Sequence, residues 1–404
     1  MARSHWTKSA TAVAFVLASM SAAGQDNPRT KMEITGFAML DMGYQDNQND
    51  PAWFDVVRPT KLPSFPDEFA PDGNFFAGVR QSRLGIRTET PTSIGDLRTI
   101  FEFELFGTGV DAGQTTFRLR HAWGELGKLG AGQTWSLFMD PDVFPNSIEY
   151  WGPNGMVFFR NVQLRYTPWQ TASGSRFAIA FERPGASADQ GNYADRIELQ
   201  DIVPHFPMPD ISVQYRSAHD WGHFQIAAIF RRIEWEDQTP LPIDFSGHEN
   251  GWGINLSTNI KLGEHVLKLQ AVYGEGIENY MNDAPEDIGI TSNPGNPLMP
   301  FLGESLPLTG VVAFIDLNWS DRWTSTIGYS MVDIDNTDGQ TASAFHKGQY
   351  ALANLLYHPT DDVFLGPEIQ WGKRENFADG FESDDLRLQF SVKYSFGATV
   401  GRQN

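Results

Sequence analysis

Arginine recurs in this chain at alternate positions of short, strand-like segments, a spacing that sets guanidinium groups in rows on one face of a β-sheet. Arg83 and Arg87 stand out of phase with Leu84 and Ile86, and Arg118 and Arg120 alternate with Phe117 and Leu119. Arg165 follows Asn161 and Gln163 against Val162 and Leu164, while Arg98 and Arg176 extend the set on neighbouring segments. The chain has 21 Arg against 9 Lys, and the rigid fork of Arg suits carboxylates and phosphates on a fixed wall. Lining a watery passage, such groups would favour anions. The competing reading is structural: Glu102 and Glu104 lie on the adjoining segment, where they would pair with the arginines and stiffen the wall. Arg80 and Arg160 share the phase of apolar neighbours, which a bulge, a loop-proximal position or a subunit interface would explain.

Other chemistry is sparse. No GxSxG, HExxH or phosphate-binding glycine loop occurs, so no enzyme, cofactor or metal is expected. His219 and His223 flank the turn HDWGH, and two histidines without a third ligand read as turn and girdle residues. A formal charge of -20 argues against nucleic acid, whose binders carry a basic patch.

The elements that carry the arginines are all strands. Lys31 to Tyr44 alternates, and Arg80 to Gly107 forms a hairpin around the turn Pro91 to Gly95. Further strands read at Thr115 to Leu126, Leu129 to Leu137, Met156 to Thr167, Arg176 to Arg183, Asp210 to Ser217 and Gly222 to Glu234. Others centre on Ile254, Leu269, Ile315 and Ile327, followed by Lys347 to Tyr357, Val363 to Trp371 and Leu386 to Phe396. Pro367 weakens the penultimate strand, because it forfeits a ladder hydrogen bond.

With residues 184–209 taken as one long loop, the count is sixteen strands joined by seven short turns alternating with eight longer loops. That alternation predicts an all-β, antiparallel, porin-like transmembrane β-barrel with short periplasmic turns and long extracellular loops. Trp123, Trp169, Trp319, Trp323, Tyr357, Tyr394 and Phe396 near the turns, with Trp235, Trp252, Tyr273 and Trp371 near the loops, imply two aromatic girdles. Residues 138–155 have no period and predict an inward-folded constriction loop offering Asp140, Asp142 and Glu149 beside Tyr150 and Trp151, facing the arginine wall. A soluble sandwich or propeller is the alternative fold, and a lipase-type barrel or a non-conducting structural barrel the alternative functions.

Arg3, His5 and Lys8 precede the apolar run Ala10 to Met20 and the small residues Ser21 to Ala23, the pattern of a secretory signal peptide in residues 1–23. Residues 24–404 then form one barrel domain, with strands over about 31–396 and a short tail at 397–404. Cysteine is absent, so an exported chain must rely on a large core or a closed sheet.

The strings RQSRLGIRTETPTSIGDLRTIFEFELFG, FRLRHAWGELGKLGAGQTWSLFMD, FFRNVQLRYTP, DWGHFQIAAIFRR, LKLQAVYGEGI and WGKRENFADG, in that order, resemble the DcaP-like family of trimeric outer-membrane porins. The resemblance implies a sixteen-stranded porin with an arginine-rich lumen, uptake of dicarboxylates and other small anions, and a homotrimer in a bilayer with lipopolysaccharide. It makes Arg83, Arg87, Arg118, Arg120 and Arg165 pore-lining residues. Two departures stand out: no heptad-patterned coiled-coil segment separates the signal from the first strand, and GATVGRQN follows Phe396.

Overall fold

The computed structural model describes residues 30–240 and 242–401; the expected signal peptide lies outside them. The wall is a closed, antiparallel barrel of 16 strands. Its first half comprises β1 (Lys31–Gln45), β2 (Asn74–Gly78 and Arg83–Thr92), β3 (Gly95–Phe106), β4 (Thr115–Leu126), β5 (Leu129–Trp135), β6 (Arg160–Gln170), β7 (Arg176–Glu182) and β8 (Asp210–His219). The second half comprises β9 (Gly222–Asp237), β10 (Gly247–Leu262), β11 (His265–Glu275), β12 (Pro307–Ser320), β13 (Trp323–Ile334), β14 (Phe345–Asn354 and Leu356–Thr360), β15 (Val363–Asn376) and β16 (Glu382–Val400). Each strand pairs with its sequence neighbours, and β1 closes on β16 from Met32 opposite Val400 to Gln45 opposite Arg387. Closure satisfies every edge, the condition for strands to cross a bilayer.

Side chains are inverted relative to a soluble sheet. Leu84, Ile86, Phe101, Phe103, Leu164, Ile226, Ile254 and Leu388 are exposed on the outside, while Glu102, Glu104, Gln214, Gln225, Asn255, Ser257 and Gln389 are buried. Burying one such Leu, Ile or Phe is worth about 1.5–3 kcal/mol, so this outer face belongs against an apolar medium.

Several boundaries differ from the sequence reading. β6 begins at Arg160 rather than Met156, because residues 152–157 are buried in the inward loop. β16 continues four residues past Phe396, pairing through Val400, so the first half of the expected tail is wall. Pro367 is accommodated in β15 opposite Phe390, and its cost falls on β14, which breaks at Leu355. The loop 184–209 contains a short strand, Ile202–His205, that pairs with Glu234–Asp237 and raises the wall there.

The core sits inside the barrel. Phe138, Met139, Val143, Met156 and Val157 of the inward loop pack against Ala227, Ile229, Val272, Val312, Phe314, Val332 and Leu352 on the inner faces of β9 to β14. On β12 both phases are therefore apolar: Val312 and Phe314 meet the loop while Ile315 lies half-buried on the other face. The backbone of the loop approaches the wall closely at Gly155, where a Cβ would stand 1.9 Å from Met331 O. There Gly155 N donates to Ser330 Oγ at 2.9 Å and Gly155 O accepts from Gln270 at 3.3 Å.

Candidate functional site: an arginine wall and the loop that crosses it

The inward faces of β2, β3 and β4 converge on two carboxylates. Arg120 Nε lies 2.7 Å from Glu102 Oε1 and its Nη1 lies 2.6 Å from Glu104 Oε2. Arg83 reaches Glu104 at 3.3 Å and Glu102 at 3.8 Å. Arg118 and Arg160 approach Glu104 Oε1 at 3.7 and 3.6 Å. Four guanidinium groups thus share two carboxylates, which leaves a positive excess in a setting where charge is weakly screened. A bulge in the β3–β4 register after Glu102 turns both Arg120 and His121 inward, and His121 Nδ1 lies 3.0 Å from Thr134 Oγ1.

The arginines further along the wall have neutral partners. Arg165 donates to Trp135 O at 2.6 Å and to Gln163 Oε1 at 2.9 Å, stacking over Trp123. Arg176 donates to Gln214 Oε1 at 2.6 Å. Among the described residues neither forms an ion pair. Arg87 and Arg98 lie nearer the short turns, in a recess that also holds Glu33, Glu89 and Glu125. Arg98 there pairs with Glu89 at 3.2 Å and Asp96 at 3.5 Å and is well exposed.

The inward loop behaves differently from the expectation that its acids face these arginines. Asp140 is buried on the far side, bonded to His223 Nε2 at 2.6 Å, Ser257 Oγ at 2.7 Å and Arg216 Nη1 at 3.2 Å. Burial alone would raise its carboxyl, but His223, Ser257 and Arg216 together hold it below the ordinary range. Asp142, exposed, pairs with the same Arg216. Glu149 is enclosed by the backbone N–H groups of Val57, Trp151 and Gly152 at 3.3, 2.9 and 2.5 Å and by Tyr350 OH at 3.1 Å. Burial nevertheless pushes its carboxyl up to about 7, against the charge of Arg387 and those N–H donors. Asp140 and Glu149 are buried and pin the loop, while Asp142 keeps an exposed side chain.

Tyr150 is the loop residue that meets the arginine wall. Its hydroxyl donates to Glu104, and its ring stacks on Phe106 at 3.8 Å and 8°. Trp151 meets Trp53 edge-on at 4.9 Å and donates from Nε1 to Asn282 O at 2.7 Å. Between those indoles lies Arg58, 4.2 and 4.1 Å from the ring centroids and 2.8 Å from Asp283. A cavity of about 410 Å³ on the loop side of the wall is bounded by Arg58, Arg118, Arg160, Tyr150 and Trp151.

Arg58 was invisible in sequence because it lies in the aperiodic stretch after β1. Arg80 and Arg160 owe their phase to a strand break and a loop-proximal start: Arg80 is buried against Asp55 and Gly107 O, and Arg160 opens β6. His219 fits the turn, stacking on Trp221, but His223 points inward to Asp140. Asp140, Asp142 and His223 offer ligand atoms within 4.8 Å of one another, yet Arg216 already occupies the space between the two carboxylates.

A closed sixteen-stranded barrel with an apolar exterior, a polar arginine-bearing interior and a loop folded through its middle defines an outer-membrane porin. The family model described as DcaP outer membrane protein matches residues 72–279, just over half of the sequence, and the chain belongs to that family. No curated protein matches the sequence. The fold is similar to the outer membrane channel DcaP of Acinetobacter baumannii, with TM-score 0.75, 21% identity, and coverage of 91% of this chain and 98% of that one. It is also similar to an anion-selective porin from Comamonas acidovorans, with TM-score 0.54, 11% identity, and coverage of 91% and 100%. OmpT of Vibrio cholerae in its trimer form gives TM-score 0.53 and 10% identity, with coverage of 91% and 100%.

Proposed function

We propose that this channel passes small hydrophilic solutes with a preference for anions, dicarboxylates among them, and works as a homotrimer in a bilayer bearing lipopolysaccharide. Residues 1–23 serve as its export signal in this reading. The observation that carries it is the charge imbalance on the wall: Arg83, Arg118, Arg120 and Arg160 around Glu102 and Glu104, continued by Arg165 and Arg176 without carboxylate partners. A carboxylate passing such a row exchanges water for bidentate guanidinium contacts at each step. The names of two fold neighbours, one an anion-selective porin and one a trimer, agree with the reading.

Swelling of liposomes reconstituted with the purified protein tests it. Succinate should enter faster than a neutral solute of the same size. Equal rates would remove the anion preference, and no swelling with either would leave a non-conducting barrel.

A further inference from the structure

Below the loop, where β2, β1, β16 and β15 run side by side, four inward residues form one cross-strand row. Arg83 of β2 stands opposite Phe37 of β1, and Lys393 of β16 stands opposite Phe364 of β15. Met39 and Ser395 complete the junction, since Lys393 is opposite Met39 and Phe37 is opposite Ser395. Lys393 Nζ lies 4.3 Å from the Phe37 ring centroid and 5.2 Å from that of Phe364, and the Arg83 guanidinium carbon lies 5.3 Å from Phe37. One phenyl ring therefore has a cation on each flank.

What distinguishes Lys393 from the wall arginines is the absence of any partner. Among the described residues its ammonium makes no hydrogen bond and no ion pair, although it is half-buried inside the barrel. An ammonium carries three donors, and those of Lys393 stay open to solvent beside two aromatic faces. Arg83 beside it has a buried Nε with no acceptor, while its Nη2 is engaged with Glu104. Ile148 of the inward loop packs into the same cluster as Phe37, Phe364, Met39 and Leu356, so the row lies against the loop. The cavity lined by Arg118 and Arg160 is bounded by another part of that loop, Tyr150 and Trp151.

We infer that Lys393, with Arg83 across Phe37, is a second carboxylate-binding step beyond the one at Arg118 and Arg160. A solute handed past the loop would exchange one cationic step for the next. The ammonium takes the carboxylate, and the phenyl rings take the apolar carbons attached to it. The inference rests on the anion-channel reading and adds a residue that the arginine pattern does not contain.

The test uses the full-length protein in planar bilayers holding one channel, with succinate added to one chamber at a time. In the wild type, block should differ between the two sides, as two unequal sites require. Lys393→Gln should raise the half-blocking succinate concentration about threefold from the short-turn side, the size of one partly exposed ion pair, and change it less from the loop side. Lys393→Arg should restore it. Unchanged block in Lys393→Gln, with the wild type anion-preferring, overturns this step and leaves the anion channel standing; a wild type without anion preference overturns the channel reading first. Should Lys393→Gln fail to insert, side-independent block with a single dwell time in the wild type overturns the second step by itself.

Discussion

Tyr150 of the inward loop donates its hydroxyl hydrogen bond to Glu104, the carboxylate that Arg120 holds at 2.6 Å. Loop and arginine wall are thus one hydrogen-bonded unit, and the loop's position is set by the same group that balances the charge of the wall. Tyr150→Phe keeps the stack on Phe106 and removes only the hydroxyl. It should lower the stability of the barrel by about 1.5–3 kcal/mol, the value of a hydrogen bond to a charged group, and make single-channel currents noisier. Thermal melts together with current recordings check this, and a melt and current trace like the wild type would separate the loop from the wall.

Glu104 serves four arginines, so its loss has two opposite effects. Glu104→Gln should strengthen anion preference, because the positive excess grows by one charge. It should also destabilise the fold by about 3–5 kcal/mol, the usual result of stripping one partner from a buried ion pair. Reversal potential and the temperature at which the folded band disappears on a gel report the two effects separately.

Arg118 and Arg120 share a strand but should behave differently. Arg120 is buried and grips both carboxylates, whereas Arg118 is 30% exposed and its ion pair is long at 3.7 Å. Arg120→Gln should therefore act mainly on stability, and Arg118→Gln mainly on selectivity with a melt within about 1 kcal/mol of wild type. Equal effects of the two on selectivity would mean that both guanidiniums meet the solute.

Glu149 makes the loop sensitive to pH. Its carboxyl is raised from the ordinary 4.5 to about 7 by burial, so the folded state holds the proton more tightly than the unfolded chain does. Stability from the neutral form is complete below pH 4.5 and is lost as pH rises through about 7. At about 1.4 kcal/mol per unit, the span is on the order of 3 kcal/mol. Melts between pH 5 and 8 should show the decline, and Glu149→Gln should flatten it; a parallel slope in that variant would assign the effect elsewhere.

The wall was legible in sequence because a strand with one face in lipid alternates without compromise, as Leu386 to Phe396 does. Bracing by Glu102 and Glu104 was legible as one of two readings for the same reason: adjacent strands place their inward phases side by side. Three features escaped. The bulge after Glu102 brings Arg120 and His121 to one face, and no residue type announces it. Arg58 and Glu149 act through long-range contacts with Asp283 and Tyr350, which no local period encodes. The inner faces of β9 to β14 are apolar where the loop rests on them, so the acids of that loop turned to anchoring instead of facing the arginines.

The central claim, that unmatched arginines give the pore its preference, is tested most directly by the zero-current potential of the purified protein in a potassium chloride gradient. An anion-preferring channel lets chloride run ahead of potassium, so the dilute side should become negative. A positive dilute side would contradict the account.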